Sequence, residues 1–373
     1  MGRAPLEGIK VVELARILAG PWAGQVLADL GAEVIKVESP AGDDTRRWGP
    51  PFIDNADGSQ DAAYFHAANR GKTSMVADFR KEADLARVKE LIAGADVVIE
   101  NFKTGGLAQF GLDYASLAEA NPGLVYCSIT GFGHTGPYAQ NAGYDFIVQG
   151  MSGIMDLTGQ SDGPPTKIGV AYADILTGLY AVIGIQAALH MRQRTGRGQA
   201  VDMSLLDVMT GTLANQAMNY LASGIAPQRM GNAHPNIVPY EAFPCADGWL
   251  IIAVGNDGQF ARLAEVLGLD IVEGWATNPG RVADRARVSP AVAEKTKLWA
   301  RDELLARLES EGVPVGPIND VAQALTDPQV QARGMVLDMA REGADPVQGL
   351  RTPITFSEAE LALGKASPPL PQR

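Results

Sequence analysis

Cysteine and histidine are scarce in this chain. Two cysteines, Cys127 and Cys245, cannot build a disulfide framework, and four histidines are too few for a histidine cluster or a cysteine-rich zinc site, so no metal is expected. Basic charge is also in deficit: 31 Lys and Arg face 43 Asp and Glu, a formal charge of −12. Nucleic acid and anionic membranes both reward a basic surface, so neither is expected as a partner. A small anionic ligand stays allowed, because a few local cations can hold it. Long apolar runs are missing too. The longest uncharged one, residues 175–189, is shorter than the roughly 20 residues that span a bilayer. The start, Met1-Gly2-Arg3-Ala4-Pro5, has no apolar signal region. The expectation is a cytoplasmic protein.

What is present suits a globular enzyme. Apolar residues make up 46% and charged residues 20% of 373, which leaves no disordered majority. That length predicts two domains. Short apolar runs alternate with helical patterns through the first third, as in a parallel α/β sheet. Strands are expected at residues 9–15, 33–38, 73–78, 96–101 and 124–130. Helices are expected at 21–30, opened by Pro21, and at 81–93. From Asp145 the pattern is mostly helical: 173–194 is the most apolar helix, a strand follows at 199–204, and another helix runs to about 222. Past Ala226-Pro227 a second unit begins, with strands at 240–244 and 249–253, a helix at 259–267 and further helices near 290–311. Ligands of such a sheet sit beyond the carboxyl ends of its strands.

Several motifs carry two readings. Gly131-Phe132-Gly133-His134-Thr135-Gly136 has the dinucleotide spacing, but it lies far from the first βα turn and Pro137 follows it. A ligand-side loop is expected there, and no nicotinamide cofactor. Gly159-Gln160-Ser161-Asp162-Gly163 has nucleophile-elbow spacing, yet Pro164-Pro165 forbid the helix that an elbow opens, so it reads as a turn. Asp174 stands at the amino end of the apolar helix, whose unpaired N–H groups and dipole favour an ionised carboxylate. Such a carboxylate is a competent nucleophile toward an acyl carbon, and Asp is equally a favoured N-cap. The segment Gly255-Asn256-Asp257-Gly258-Gln259, between a strand and a helix, is either a loop offering N–H groups to a ligand or a tight βα turn. Arg46 and Arg47 follow the second strand, and Arg70 and Lys72 precede the third. With Lys103 they either neutralise phosphates or form a solvated basic face.

Taken together, these segments resemble the class III CoA-transferases, the CaiB/BaiF family. The resemblance runs over nearly the whole chain. It is carried by Val11-Val12-Glu13-Leu14, Ala19-Gly20-Pro21, Leu30-Gly31-Ala32-Glu33-Val34-Ile35-Lys36-Val37-Glu38 and Gly42-Asp43-Asp44-Thr45-Arg46. Further along it takes in Val98-Ile99-Glu100-Asn101-Phe102, Ser128-Ile129-Thr130-Gly131-Phe132-Gly133, Gly143-Tyr144-Asp145, Thr195-Gly196-Arg197-Gly198-Gln199 and Gly231-Asn232-Ala233-His234-Pro235. The resemblance implies an α/β fold: a Rossmann-like large domain with a parallel sheet, over residues 1–205 and completed by 340–373. A linker helix at 206–229 and a smaller α+β domain at 230–330 follow, and two chains thread into an interlocked homodimer. It implies transfer of CoA from an acyl-CoA to a free carboxylic acid, both small molecules, with Asp174 forming first an anhydride and then an aspartyl-CoA thioester. Tyr144 and Asp145 would line the acyl site, and the loop from Gly255 through Asn256, Asp257 and Gly258 to Gln259 would cover it. Asn101, Phe102 and Lys103 would hold CoA, with Arg46, Arg70 and Lys72 on its phosphates. Leu18, Ser39 and Gln109 depart from the formyl-CoA transferase pattern, which speaks against formyl-CoA and oxalate. The alternative is an α-methylacyl-CoA racemase, which needs a His where Tyr144 stands, and a phenol of pKa about 10 is a poor base near neutrality.

Overall fold

The structure, a computed structural model, describes residues 4–372. These divide into two compact units, one of residues 4–154, 167–218 and 328–372, the other of residues 155–166 and 219–327.

The first unit is built on six parallel strands. They are β1 (Lys10–Glu13), β2 (Glu33–Glu38), β3 (Thr73–Val76), β4 (Val97–Glu100), β5 (Val125–Thr130) and β6 (Ala200–Ser204), hydrogen-bonded in the order β3-β2-β1-β4-β5-β6. That is the doubly wound order, whose reversal between β1 and β4 opens a crevice at the carboxyl ends. The central strands read as unbroken apolar runs because both faces are covered. Alternate residues serve opposite cores: Val11, Val97, Ile99 and Cys127 pack on one side, Val12, Val98 and Tyr126 on the other.

Helix α1 (Ala19–Asp29) follows β1 and α2 (Glu82–Ala93) follows β3. Pro21 is the third residue of α1, not its first as the sequence suggested, because Ile17 takes a left-handed φ of 72° and lets the helix begin early. Helix α3 (Asp145–Met151) precedes α4 (Tyr172–Thr195), which Gly196 ends in the left-handed conformation. By length and composition α4 would cross a membrane, yet Thr177, Ala181, Ile185 and Ala188 are buried in the unit's core. The single helix expected up to about residue 222 is two, Leu205–Gly211 and Ala214–Ser223. Gly211 and β-branched Thr212 are weak helix formers, and Ala214, the first residue of the second helix, takes a φ of 46°. The tail adds a hairpin, Val336–Arg341 with Ala344–Leu350. It then returns across the unit without regular structure, where Ala362 N–H donates to Asp29 O and Gly71 N–H to Lys365 O.

The second unit holds a three-stranded antiparallel sheet of β7 (Tyr240–Pro244), β8 (Trp249–Ala253) and β9 (Val315–Pro317), with β8 central. Phe243, Leu250, Phe260, Leu263, Val288 and Leu304 form its core. Residues 159–163 belong here as a turn with no helix after it, and Gly231 N–H donates to Gly159 O.

Candidate active site

A cavity of about 760 Å³ lies in the first unit at the carboxyl ends of β1 to β5, where the strand order predicts a ligand. Asp174, Tyr144, Asp145, Asn101, Phe102 and Lys103 all line it. A second cavity of about 390 Å³ lies toward the opposite ends of the strands beside α2, and none of the candidate site residues lines it.

Asp174 is the third residue of α4 and not its N-cap, a position held by Ala171. The capping work falls to Asp145: its Oδ1 accepts the Ala173 N–H at 2.9 Å, and its Oδ2 accepts from Gln149 Nε2 at 2.8 Å. Gln149 in turn takes the Ile168 N–H on Oε1 at 2.9 Å, so Asp145 is fixed from both sides. With another carboxylate serving the helix end, Asp174 is not needed as a cap. Burial first, and the negative charge of Asp145 second, push its pKa up to about 7. This corrects the expectation that the helix dipole keeps Asp174 strongly ionised, since desolvation and a like charge outweigh it. The result is a carboxylate more basic than a solvated one, and therefore a stronger nucleophile. Tyr64, missed in the sequence, is pushed up by burial and then by the charges of Asp174 and Asp145, which keeps its phenol neutral beside them.

The cations sort differently from the sequence expectation. Arg46 is buried: Nε and Nη2 donate to Glu38 at 2.8 and 2.7 Å, Nη1 to Asp61 at 2.8 Å, and the guanidinium stacks 3.6 Å from the centre of the Phe65 ring. Arg70 is buried in a bidentate pair with Asp29. Lys72, fully buried, pairs with Glu13 at 2.8 Å and donates to Pro21 O, and burial lowers its pKa to about 8. None of the three lines the cavity. They are core ion pairs, neither phosphate ligands nor a solvated face. The cations that do line the cavity are Arg16, Arg47, Arg80 and Lys103, all at its exposed edge, with Lys36 buried in its floor. The sequence reading missed Arg16 and Arg80, which lie in the loops just past the carboxyl ends of β1 and β3.

Asn101 holds the cavity together. Its Oδ1 accepts the Arg16 N–H at 2.9 Å and its Nδ2 donates to Arg16 O at 2.7 Å, which ties the loop after β4 to the loop after β1. Phe102 packs against Phe79, with ring centres 6.3 Å apart. Tyr144 is 66% exposed at the start of α3. The segment from Gly255 to Gln259 lies in the second unit as a helix-capping turn: Gln259 N–H donates to Asn256 Oδ1, Gly255 N–H to Gln259 Oε1, and Arg281 pairs with Asp257 at 2.8 Å.

Residues 6–373 match the model of CoA-transferase family III. The chain belongs to this family. It is 57% identical to the succinate–glutarate CoA-transferase of Agrobacterium fabrum (strain C58 / ATCC 33970), over 99% of this chain and 93% of that one. Human succinyl-CoA:glutarate CoA-transferase is 39% identical, over 99% of this chain and 84% of its own. Among solved structures, a CaiB/BaiF family protein from Brucella suis superposes with a TM-score of 0.89 at 63% identity, covering 99% of this chain and 97% of that one. The chain is thus a family III CoA-transferase, an enzyme acting on CoA thioesters, and the nicotinamide spacing at Gly131 is a loop of that fold.

Proposed function

We propose that this enzyme moves CoA between dicarboxylic acids, with Asp174 as the acyl-accepting group. The observation that carries the reading is a half-buried carboxylate of raised basicity in the wall of a cavity at the carboxyl edge of a parallel sheet. The relatives named as succinate–glutarate and succinyl-CoA:glutarate transferases support the dicarboxylate class. One Asp174 oxygen attacks the thioester carbonyl carbon, the C–S bond breaks, and CoA leaves as a thiolate from a mixed anhydride. The thiolate then attacks the Asp174 carbonyl carbon and expels the donor acid, which leaves an aspartyl-CoA thioester. The acceptor carboxylate attacks that thioester to form a second anhydride. Thiolate attack on its acyl carbon gives the new acyl-CoA and restores Asp174. Every bond broken is matched by one formed, so the exchange needs no external energy source. Arg16, Arg47, Arg80 and Lys103 are placed to balance the CoA phosphates at the cavity's exposed edge.

The decisive experiment is Asp174→Asn. An amide cannot form the anhydride, so transfer from succinyl-CoA to glutarate falls by at least about a thousandfold while CoA still binds. Wild type given succinyl-CoA alone accumulates a CoA adduct, and hydroxylamine treatment followed by peptide mapping marks Asp174. Transfer near the wild-type rate in the Asn variant would refute the mechanism. Rapid uptake of deuterium at the α-carbon of a 2-methylacyl-CoA would instead favour racemisation.

A further inference from the structure

A polar chain that no part of the transfer chemistry uses runs beneath the cavity. Glu100, the last residue of β4, is buried at 5% exposure. Its Oε2 accepts the Phe102 N–H at 2.8 Å and so bends the chain into the loop that carries Asn101, Phe102 and Lys103. Ser128 is its register partner on β5 and equally buried, which sets its hydroxyl beside the Glu100 carboxyl. Ser128 Oγ also meets His134 Nε2 at 2.7 Å. His134 is further held where its backbone N–H donates to Asp202 Oδ2 at 3.1 Å on β6.

His134 lies in the loop of residues 131–143, which is pinched at its base. A side chain on Gly131 would meet the Gly143 Cα at 2.3 Å, so the two strands of the loop touch backbone to backbone. The far part of that loop, Ala139 to Gly143, lines the cavity together with the Asn101–Lys103 wall. The chain Phe102 N–H, Glu100, Ser128, His134 therefore joins two cavity walls that are remote in sequence.

We propose that Glu100 is a positioning residue for the CoA thioester, setting the two walls at a fixed separation through Ser128 and His134. This rests on the reading that CoA occupies the cavity. Glu100 itself does not line it and touches no reacting atom.

The test measures free CoA binding to the full chain by calorimetry, together with steady-state transfer. Glu100→Ala removes the acceptor and is expected to weaken CoA and raise its thioester KM about tenfold, the size of one lost buried hydrogen bond, with kcat little changed. Glu100→Gln keeps an oxygen for Phe102 N–H and restores most of the affinity. Ser128→Ala and His134→Ala, which remain usable if Glu100→Ala fails to fold, each weaken CoA, and the double variant is no weaker than the worse single one, because both act through one chain. Additive effects would overturn the proposal. Lys103→Ala separates the two readings. If Lys103→Ala weakens CoA several-fold while Glu100→Ala does not, the cavity reading stands and the positioning role fails. If Lys103→Ala leaves CoA binding intact, the cavity reading falls and takes the proposal with it.

Discussion

Asp174 carries a thermodynamic signature separate from its chemistry. Its pKa rises from 3.8 in the open chain to about 7 in the fold, so folding favours its protonated form. Below pH 3.8 both states are protonated and no penalty exists. Between 3.8 and about 7 the unfolded chain ionises first, so stability declines as pH rises, and above about 7 the penalty is constant. Asp174→Asn should therefore be more stable than wild type at pH 8, by on the order of 2 kcal/mol after allowing for water at its open edge, and equal to it near pH 3.5. Urea titrations at the two pH values measure this, and a pH-independent difference would contradict the raised pKa. The same ionisation makes kcat/KM for transfer fall on the acid side of about pH 7. The cations give a contrasting pair. Arg70→Ala strands the buried Asp29 carboxylate and should cost about 3–5 kcal/mol, whereas Arg80→Ala should weaken CoA binding and leave the melting temperature nearly unchanged. The sequence put Arg46, Arg70 and Lys72 at the ligand edge and could not show that they are buried in ion pairs. Their partners, Glu13, Asp29 and Glu38, come from other strands and helices, and only the fold shows which cations face inward.

At the scale of elements, the apolar pattern was the more reliable guide. The bounds of β2, β7 and β8 agree with expectation residue for residue: Glu33 and Glu38 bracket β2, Pro244 ends β7, and Gly248 precedes β8. The capping of α4 was not legible, since Asp145 reaches Ala173 from 28 residues away. Nor was the polar chain at Glu100, whose members sit on two neighbouring strands and a loop. Close packing of α4 on α1 depends on Gly178, one turn beyond Asp174. A Cβ there would lie 2.7 Å from Ala19 O and 3.1 Å from Trp22 Cβ, both on α1. Gly178→Ala must push the two helices apart, at about 1–3 kcal/mol of stability, and it should lower kcat because the shift moves the amino end of α4. A variant with unchanged urea midpoint and unchanged kcat would show that the contact relaxes freely.

At the scale of the whole molecule, one chain leaves too much apolar surface bare. Along α4, Leu179, Tyr180, Ile183 and Met191 are 39%, 46%, 62% and 45% exposed, at spacings that repeat along one side of the helix. Phe146, Ile147 and Met151 of α3 are also exposed. A helix that is apolar all round belongs in an interior, and contiguous apolar surface of this kind marks an interface. The occupant expected is a second copy of this chain, in the threaded homodimer that the family resemblance implies. Light scattering should then give twice 39.4 kDa at every accessible dilution. Threading adds a kinetic consequence that simple docking does not share, because linked chains separate only by unfolding. Mixed preparations of tagged and untagged protein should form no hybrid dimers over days, and should form them readily after urea unfolding and refolding. Ile183→Glu, which sets a charge into the covered face, should abolish the dimer or its solubility. A 39.4 kDa species at low micromolar concentration that is indifferent to Ile183→Glu would sink the dimer, and rapid subunit exchange without denaturant would sink the threading alone.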